Sequence, residues 1–185
     1  HLLNHGRSHL APLFVDCGAN IGWYSLLAAA VGAEVFAAEP MPANAALLRA
    51  NIARNGLADR ITVFDGALGE HPGNADLHLS AMNQGDHRLH TDASWDPARQ
   101  RPAISVEVRR LDDVVRSRPP SVLKIDTQGS EVAILRGGRH CWDPSAGASG
   151  VSIVTEFWPY GLERCGSSAA EFLGLLTPLV NDTHR

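Results

Sequence analysis

Short apolar runs alternate with stretches of helical composition in the first part of the chain. Three of the runs predict strands buried on both faces: LFVDCG (13–18), AEVFAAEP (33–40) and ITVFDGAL (61–68). The stretch between the first two is rich in alanine and leucine and stops at Gly32, so it predicts a helix. A second helix is predicted from Pro40 to Asn55-Gly56. These repeated strand-to-helix passes predict a parallel sheet with right-handed crossovers.

The pattern changes at residues 69–103, which we predict to be an insertion. Residues 73–80 alternate between apolar and polar and predict an edge strand. The following segment is polar, with Gly, Asp and Pro scattered through it. A long loop in a compact domain is usually functional or disordered. We therefore predict that the region from Gly85 to Trp95 is a mobile lid that orders over an acceptor.

Strand and helix patterns return after the insertion. Alternation at 104–108 leads into a short helix, and apolar runs at 121–128 and 152–159 predict two further buried strands. Helices are predicted at 130–138 and 168–176. The whole pattern predicts an α/β fold with a Rossmann-like, doubly wound and mostly parallel sheet flanked by helices.

Composition and charge narrow the class of protein. With 185 residues, of which 44% are hydrophobic and 19% charged, the chain fits one domain over 1–185, with 1–12 as an N-terminal flank. A formal net charge of −4 argues against nucleic-acid binding through phosphate contacts. No apolar run is long enough to cross a membrane. Three cysteines without metal-like spacing favour a reducing, cytoplasmic location and no metal site.

The first strand-to-helix turn carries the strongest signal for a cofactor. Asp16 ends the strand, and Gly18 permits a sharp turn beside a ligand. Gly22 permits close packing of the following helix, whose first amides, from Asn20 onwards, face the crevice above the sheet. Glu39 closes the second strand about twenty positions after the first glycine, a spacing that suits a carboxylate binding a ribose diol.

The same turn discriminates between two cofactors. A dinucleotide site needs Gly-x-Gly-x-x-Gly, but counting from Gly18 the other two glycine positions hold Asn20 and Trp23. The turn instead follows the pattern acid-x-Gly-x-Gly-x-Gly of S-adenosylmethionine (SAM) sites, with Asn20 at the middle glycine. Asparagine tolerates a positive φ better than most residues. The turn therefore favours SAM, and an NAD(P)-dependent oxidoreductase is the less favoured alternative.

Several blocks of sequence together resemble one family. VDCGANIGWYS, EPMPANAALLRANIARNGL, ITVFDGALGE, VLKIDTQGSEVAILRGG and TEFWP occur in this order over about residues 13–159, which resembles the FkbM-type SAM-dependent methyltransferases of class I. The resemblance implies an enzyme that methylates a hydroxyl oxygen of a small-molecule or glycan acceptor: a sugar, a glycan or a secondary metabolite. Class-I folds normally continue into a final hairpin, so we expect the last strands to be missing or the sheet to be shortened. A non-catalytic SAM-binding domain of a larger protein is the alternative.

The predicted cofactor contacts follow the ends of the first three strands. They comprise Asp16, Gly18, Ala19, Asn20, Gly22, Glu39, Pro40, Asp65 and Ala67. The resemblance implies that Asp65 and Ala67 meet the adenine amino group and ring face. The Asp-Gly pair at 65–66 is also a common turn, which is the structural alternative for Asp65.

Two acids and one histidine are the predicted catalytic residues. Asp126 and Glu156 lie near the ends of the later buried strands, where open sheets bind their ligands. His87 lies in the polar loop and can exchange a proton near neutral pH. The predicted role is that of a general base for the acceptor hydroxyl. Capping of the following helix is the structural alternative for Asp126.

Overall fold

The computed structural model describes residues 10–79, 89, 102–115, 118–142 and 150–177. Its strands are β1 (Leu13–Cys17), β2 (Glu34–Ala38), β3 (Ile61–Phe64), β4 (Ala67–Gly69), β5 (Gly73–His78), β6 (Ala103–Arg110), β7 (Val122–Ile125) and β8 (Ser152–Thr155). Its helices are α1 (Trp23–Ala30), α2 (Pro42–Arg54), α3 (Leu111–Val115), α4 (Glu131–Gly137), α5 (Pro159–Arg164) and α6 (Ala169–Leu176), with a short 3-10 helix at Arg139–Trp142. Strands and helices alternate along most of this order, as the apolar runs predict.

A five-stranded parallel sheet forms the centre of the fold. Its order is β3-β2-β1-β7-β8. The strands β2 and β3 therefore lie on one side of β1, and the later strands β7 and β8 lie on the other. One apolar cluster joins the sheet to α1 and α2, and a second joins it to α3, α4, α5 and α6. Because helices cover both faces, the strands can be apolar throughout. The predicted Rossmann-like, mostly parallel fold is confirmed. In such sheets ligands bind where the strand order reverses, which is at the carboxyl ends of β1 and β7.

A second, three-stranded sheet has the order β4-β6-β5, with β4 parallel and β5 antiparallel to β6. The edge strand predicted from alternation is therefore present as β5. The run at 61–68, predicted as one strand, is instead divided at Asp65-Gly66 between β3 in the central sheet and β4 in the small one. A Cβ on Gly66 would lie 2.6 Å from the Glu107 backbone oxygen, so the small sheet approaches this bend closely.

The predicted lid falls largely outside the residues that the structure describes. Of residues 85–95, Leu89 alone is described, and it packs against the apolar cluster of the small sheet. Among the helices of the described residues, none is both long and apolar enough to span a bilayer.

Candidate functional site

A cleft of about 390 Å³ opens at the carboxyl ends of β1, β2 and β7, and we call it the first cleft. Seven of the residues predicted from sequence line it: Gly18, Ala19, Asn20, Glu39, Pro40, Ala67 and Asp126. Four other predicted residues, Asp16, Gly22, Asp65 and Glu156, lie outside its wall. Its size is within the usual range of small-molecule sites, about 300–1,000 Å³.

The turn at 18–22 adopts the backbone that its glycines and asparagine predict. Gly18 has φ +78°, and a Cβ there would lie 2.1 Å from the backbone oxygen of Asp126. Asn20 has φ +52°, the left-handed conformation that asparagine tolerates better than most residues. Gly22 has φ +96°, and its missing side chain leaves room for Leu48 of α2. Gly18 therefore brings β1 and β7 together under the cleft, whereas Gly22 serves packing between α1 and α2.

Glu39 is held rigidly in the wall of the first cleft. Its Oε2 accepts a hydrogen bond from the amide of Asn20 at 2.8 Å, and its Oε1 accepts one from the amide of Met41 at 3.0 Å. The side chain of Asn44 donates to the same Oε1 at 3.4 Å. Burial raises the pKa of this carboxyl, since Glu39 is 5% exposed, while the hydrogen bonds from Met41, Asn20 and Asn44 act in the opposite direction. Oε1 thus accepts two hydrogen bonds, whereas Oε2 accepts one and retains acceptor capacity for a ligand hydroxyl.

Asp16 lies beneath the first cleft and acts on it through Lys124. It is fully buried, and its Oδ2 accepts a hydrogen bond from the Ser25 hydroxyl at 2.7 Å. The Lys124 ammonium lies 3.0 Å from Asp16 Oδ1 and donates to the backbone oxygen of Gly18 at 2.7 Å. A buried ion pair needs such added hydrogen bonds to offset the loss of hydration. Asp16 and Lys124 thus fix the position of the glycine turn.

Asp65 and Ala67 are separated by the bend between β3 and β4. Asp65 is exposed and forms an ion pair with Arg49 at 2.7 Å on the outside of the fold. Ala67 is buried and lines the first cleft beside Leu68 and Leu77. The adenine-binding prediction for this segment therefore has an apolar wall available at Ala67, and the carboxylate of Asp65 is occupied elsewhere.

The rim of the first cleft carries two carboxylates linked by one amide. Gln128 Nε2 donates to Asp126 Oδ1 at 3.1 Å and to Glu156 Oε2 at 3.0 Å. Gln128 has φ +58°, an uncommon conformation for a residue with a side chain. Burial raises the pKa of Glu156, and the charges of Asp126 and Glu131 raise it further, while the bond from Gln128 lowers it. The arrangement presents acidic groups where a hydroxyl proton can be accepted.

Glu131 fixes the loop that follows β7. Its Oε1 accepts hydrogen bonds from the amides of Thr127 and Gly129, at 3.0 and 3.1 Å, and from the Thr127 hydroxyl at 3.1 Å. The helix α4 begins after Ser130, so Asp126 is not its N-cap residue. The alternative interpretation of Asp126 as a helix cap is therefore wrong, and its side chain is available to the cleft.

Sequence reasoning missed more than half of the first cleft's wall. The missed residues are Ile21, Trp23, Tyr24, Ala38, Asn44, Leu68, Leu77, Leu89, Lys124, Thr127, Gln128 and Ser130. One signal was visible, since a lysine within the buried strand VLKI needs a partner. His87 lies outside the described residues. In the described part of the chain, no group of three His, Cys, Asp or Glu side chains is placed to hold a metal ion.

The strand order and the glycine turn together define a Rossmann-like fold of the class-I methyltransferase type. The family model for the methyltransferase FkbM domain matches residues 16–154. The chain therefore belongs to the FkbM methyltransferase domain family.

One relative and two solved structures are similar to this chain over part of their length. Methyltransferase sdnD from Sordaria araneosa is 27% identical in an alignment 155 positions long, and the alignment covers 68% of this chain and 60% of that protein. The crystal structure of methyltransferase FkbM from Methylobacillus flagellatus KT matches 96% of this chain and 40% of its own, with a TM-score of 0.58 and 23% identity. A SAM-dependent O-methyltransferase from Thermotoga maritima matches 91% of this chain and 44% of its own, with a TM-score of 0.50 and 17% identity. The chain thus spans well under two thirds of these proteins.

Proposed function

We propose that this chain binds SAM in the first cleft and methylates a hydroxyl oxygen of a small molecule or glycan, such as a sugar or a secondary metabolite. The observation that carries the proposal is Glu39, a buried carboxylate fixed beside the glycine turn at the end of β2. Membership of the FkbM family supports the same cofactor, as does the similarity to the SAM-dependent O-methyltransferase from Thermotoga maritima.

The residues of the first cleft fit SAM from one end to the other. The Oε2 atom of Glu39 can accept a ribose hydroxyl, as an acid does at this place in related nucleotide sites. Ala67, Leu68 and Leu77 offer an apolar wall to the adenine. Gly18 lines the cleft beside the place proposed for the amino-acid end of the cofactor, and the bond from Lys124 to its backbone oxygen holds the turn there. The turn lacks the second glycine that a dinucleotide pyrophosphate needs, because Asn20 occupies that position.

SAM, when bound, supplies a methyl group already activated for transfer by its positive sulfur. The chain's part is then to hold an acceptor oxygen in line and to receive the proton that the hydroxyl loses. Asp126 and Glu156 are the candidates to take that proton, and Gln128 holds them at a fixed separation. Lys124 is unsuited to the role because it is buried and bonded to Asp16 and Gly18.

The setting of the reaction follows from composition. A formal net charge of −4 supports an acceptor other than a nucleic acid. Three cysteines without metal-like spacing support a reducing compartment, the cytoplasm.

Calorimetric titration with SAM, with its demethylated product S-adenosylhomocysteine and with NAD tests the cofactor assignment. We expect both sulfur compounds to bind and NAD to give no heat of binding. Binding of NAD in the absence of SAM binding would overturn the proposal.

A further inference from the structure

A second cleft, also of about 390 Å³, adjoins the first. It lies between the turn that joins β4 to β5, the helix α4 and the turn at 165–167 after α5. The two clefts share three wall residues, Leu68, Leu89 and Ser130. A molecule in the second cleft therefore lies against the same side chains that border the proposed cofactor.

Ser130 stands at this junction with a hydroxyl that the fold leaves unused. The residue is 3% exposed, and its Oγ is buried with no hydrogen-bond partner among the described residues. Buried polar atoms are nearly always hydrogen-bonded, so such a hydroxyl calls for an explanation. A ligand hydroxyl can supply the missing partner, since a serine both donates and accepts.

The charges in the second cleft disfavour an anionic ligand. Arg136 is its cation, and it is engaged by Glu70, at 3.0 Å, and by Glu171 of α6. Two carboxylates around one guanidinium leave an excess of negative charge, which repels a carboxylate or phosphate. The rest of the described wall comprises His71, uncharged polar groups such as Asn74 and Ser167, and apolar side chains such as Val132.

We propose that the second cleft is the acceptor site, that it takes an uncharged acceptor with several hydroxyl groups, and that Ser130 hydrogen-bonds the hydroxyl to be methylated. The mixed wall suits the alternation of hydroxyl and C–H surface on such a molecule. This inference rests on the proposed function, because it assigns the second substrate of the same reaction.

The test uses glycine amides as reporters of binding, independently of catalysis. The ¹⁵N-labelled chain is loaded with S-adenosylhomocysteine and titrated with four neutral probes: the methyl glycosides of glucose, galactose, mannose and rhamnose. We expect shifts at Gly73, Gly129 and Gly166, which line the second cleft, and none at Gly32 and Gly56, which end α1 and α2. Methyl glucuronide and methyl galacturonide are the anionic counterparts and should give smaller shifts.

Two pairs of variants locate the site and its hydroxyl. Ala133→Trp fills the second cleft and should abolish the glycoside shifts, whereas Ala53→Trp on the exposed side of α2 should not. Ser130→Ala should lower kcat/KM for a glycoside that the chain methylates by about three- to tenfold, the value of one hydrogen bond. Ser152→Ala, on the exposed edge of β8, is its matched control.

The outcomes separate this inference from the proposed function. If S-adenosylhomocysteine and SAM fail to bind, the proposed function fails and the inference with it. If they bind and no glycoside moves the second-cleft glycines, or if the uronides move them equally, the inference alone is overturned. Shifts that persist in Ala133→Trp place the acceptor elsewhere and also overturn it.

Discussion

The two sides of the first cleft are built in opposite ways. On the β1–β2 side the charged groups are buried, and each is held by fixed partners: Asp16 by Lys124, and Glu39 by two backbone amides. On the β7–β8 side the acids are open to solvent, with the Asp126 side chain 46% exposed. A preformed wall binds its ligand with little loss of conformational entropy, which suits a ligand that is the same in every turnover. An exposed rim leaves its acids free to take a proton, so the contrast fits the proposed binding of SAM on the first side and the proposed proton transfer on the second.

The largest expected effect comes from breaking the buried ion pair on the β1–β2 side. Lys124→Met leaves Asp16, which is fully buried, without its cation, and such losses cost about 3–5 kcal/mol. We expect the free energy of unfolding to fall by about that amount in urea denaturation. The double variant Lys124→Met with Asp16→Asn should recover part of the loss. A single variant as stable as the original chain would contradict the role given to this pair.

The next effect concerns the opposite side, where proton transfer is proposed. If Asp126 or Glu156 is the base, Asp126→Asn or Glu156→Gln should lower kcat by about 10²–10⁴-fold with little change in SAM affinity. If the acids only orient the acceptor, the amides keep some hydrogen bonds and the change should appear mainly in the acceptor KM. We favour Asp126, which lines the cleft directly. A near-normal kcat in both variants, measured at saturating acceptor, would show that neither acid is the base and would leave positioning of the acceptor as the mechanism. His87 would then be the next residue to replace.

Glu39 gives a smaller and more specific effect. Glu39→Ala removes the carboxylate proposed to bind the ribose, and we expect SAM affinity to fall by at least about tenfold, the value of one charge-assisted hydrogen bond. Asp65→Asn is a useful contrast, because its carboxylate is paired with Arg49 outside the cleft. Calorimetry should show little change for that variant. Equal losses in the two variants would show that Asp65 reaches the cofactor after all.

The two sides of the cleft also differed in how well the sequence predicted them. Gly18, Asn20 and Glu39 lie within one strand-turn-helix-strand unit, so their spacing along the chain reports their proximity. Lys124 bonds to Gly18 across 106 positions of sequence, and only the parallel pairing of β1 with β7 brings them together. The division of the run at 61–68 depended likewise on a distant partner, the strand β6. Local patterns therefore predicted the fold and the place of Glu39 beside the glycine turn, whereas the place of Lys124 depends on tertiary pairing.

The finest distinction between the two sides is in pH dependence, and it concerns Gln128. A general base works in its deprotonated form, so kcat should fall as the pH drops through the pKa of Glu156 if that residue is the base. Burial and the charges of Asp126 and Glu131 raise this pKa, and the hydrogen bond from Gln128 lowers it. Gln128→Met removes the donor and keeps the length of the side chain, so the pKa should rise and the acid limb of the kcat profile should move to higher pH.

Controls separate this effect from a general disturbance of the rim. Glu163→Gln, an exposed position on α5, should leave the acid limb where it is. Lys124 lies 4.0 Å from Asp126 and is unchanged in both variants, so its charge acts equally on the two profiles. If the acid limb of the kcat profile stays in place in Gln128→Met, or moves to lower pH, the result contradicts the proposal that the Gln128 amide stabilises the ionised form of a catalytic Glu156. Loss of the limb in Glu156→Gln, but not in Asp126→Asn, would assign the base to Glu156 and reverse our preference.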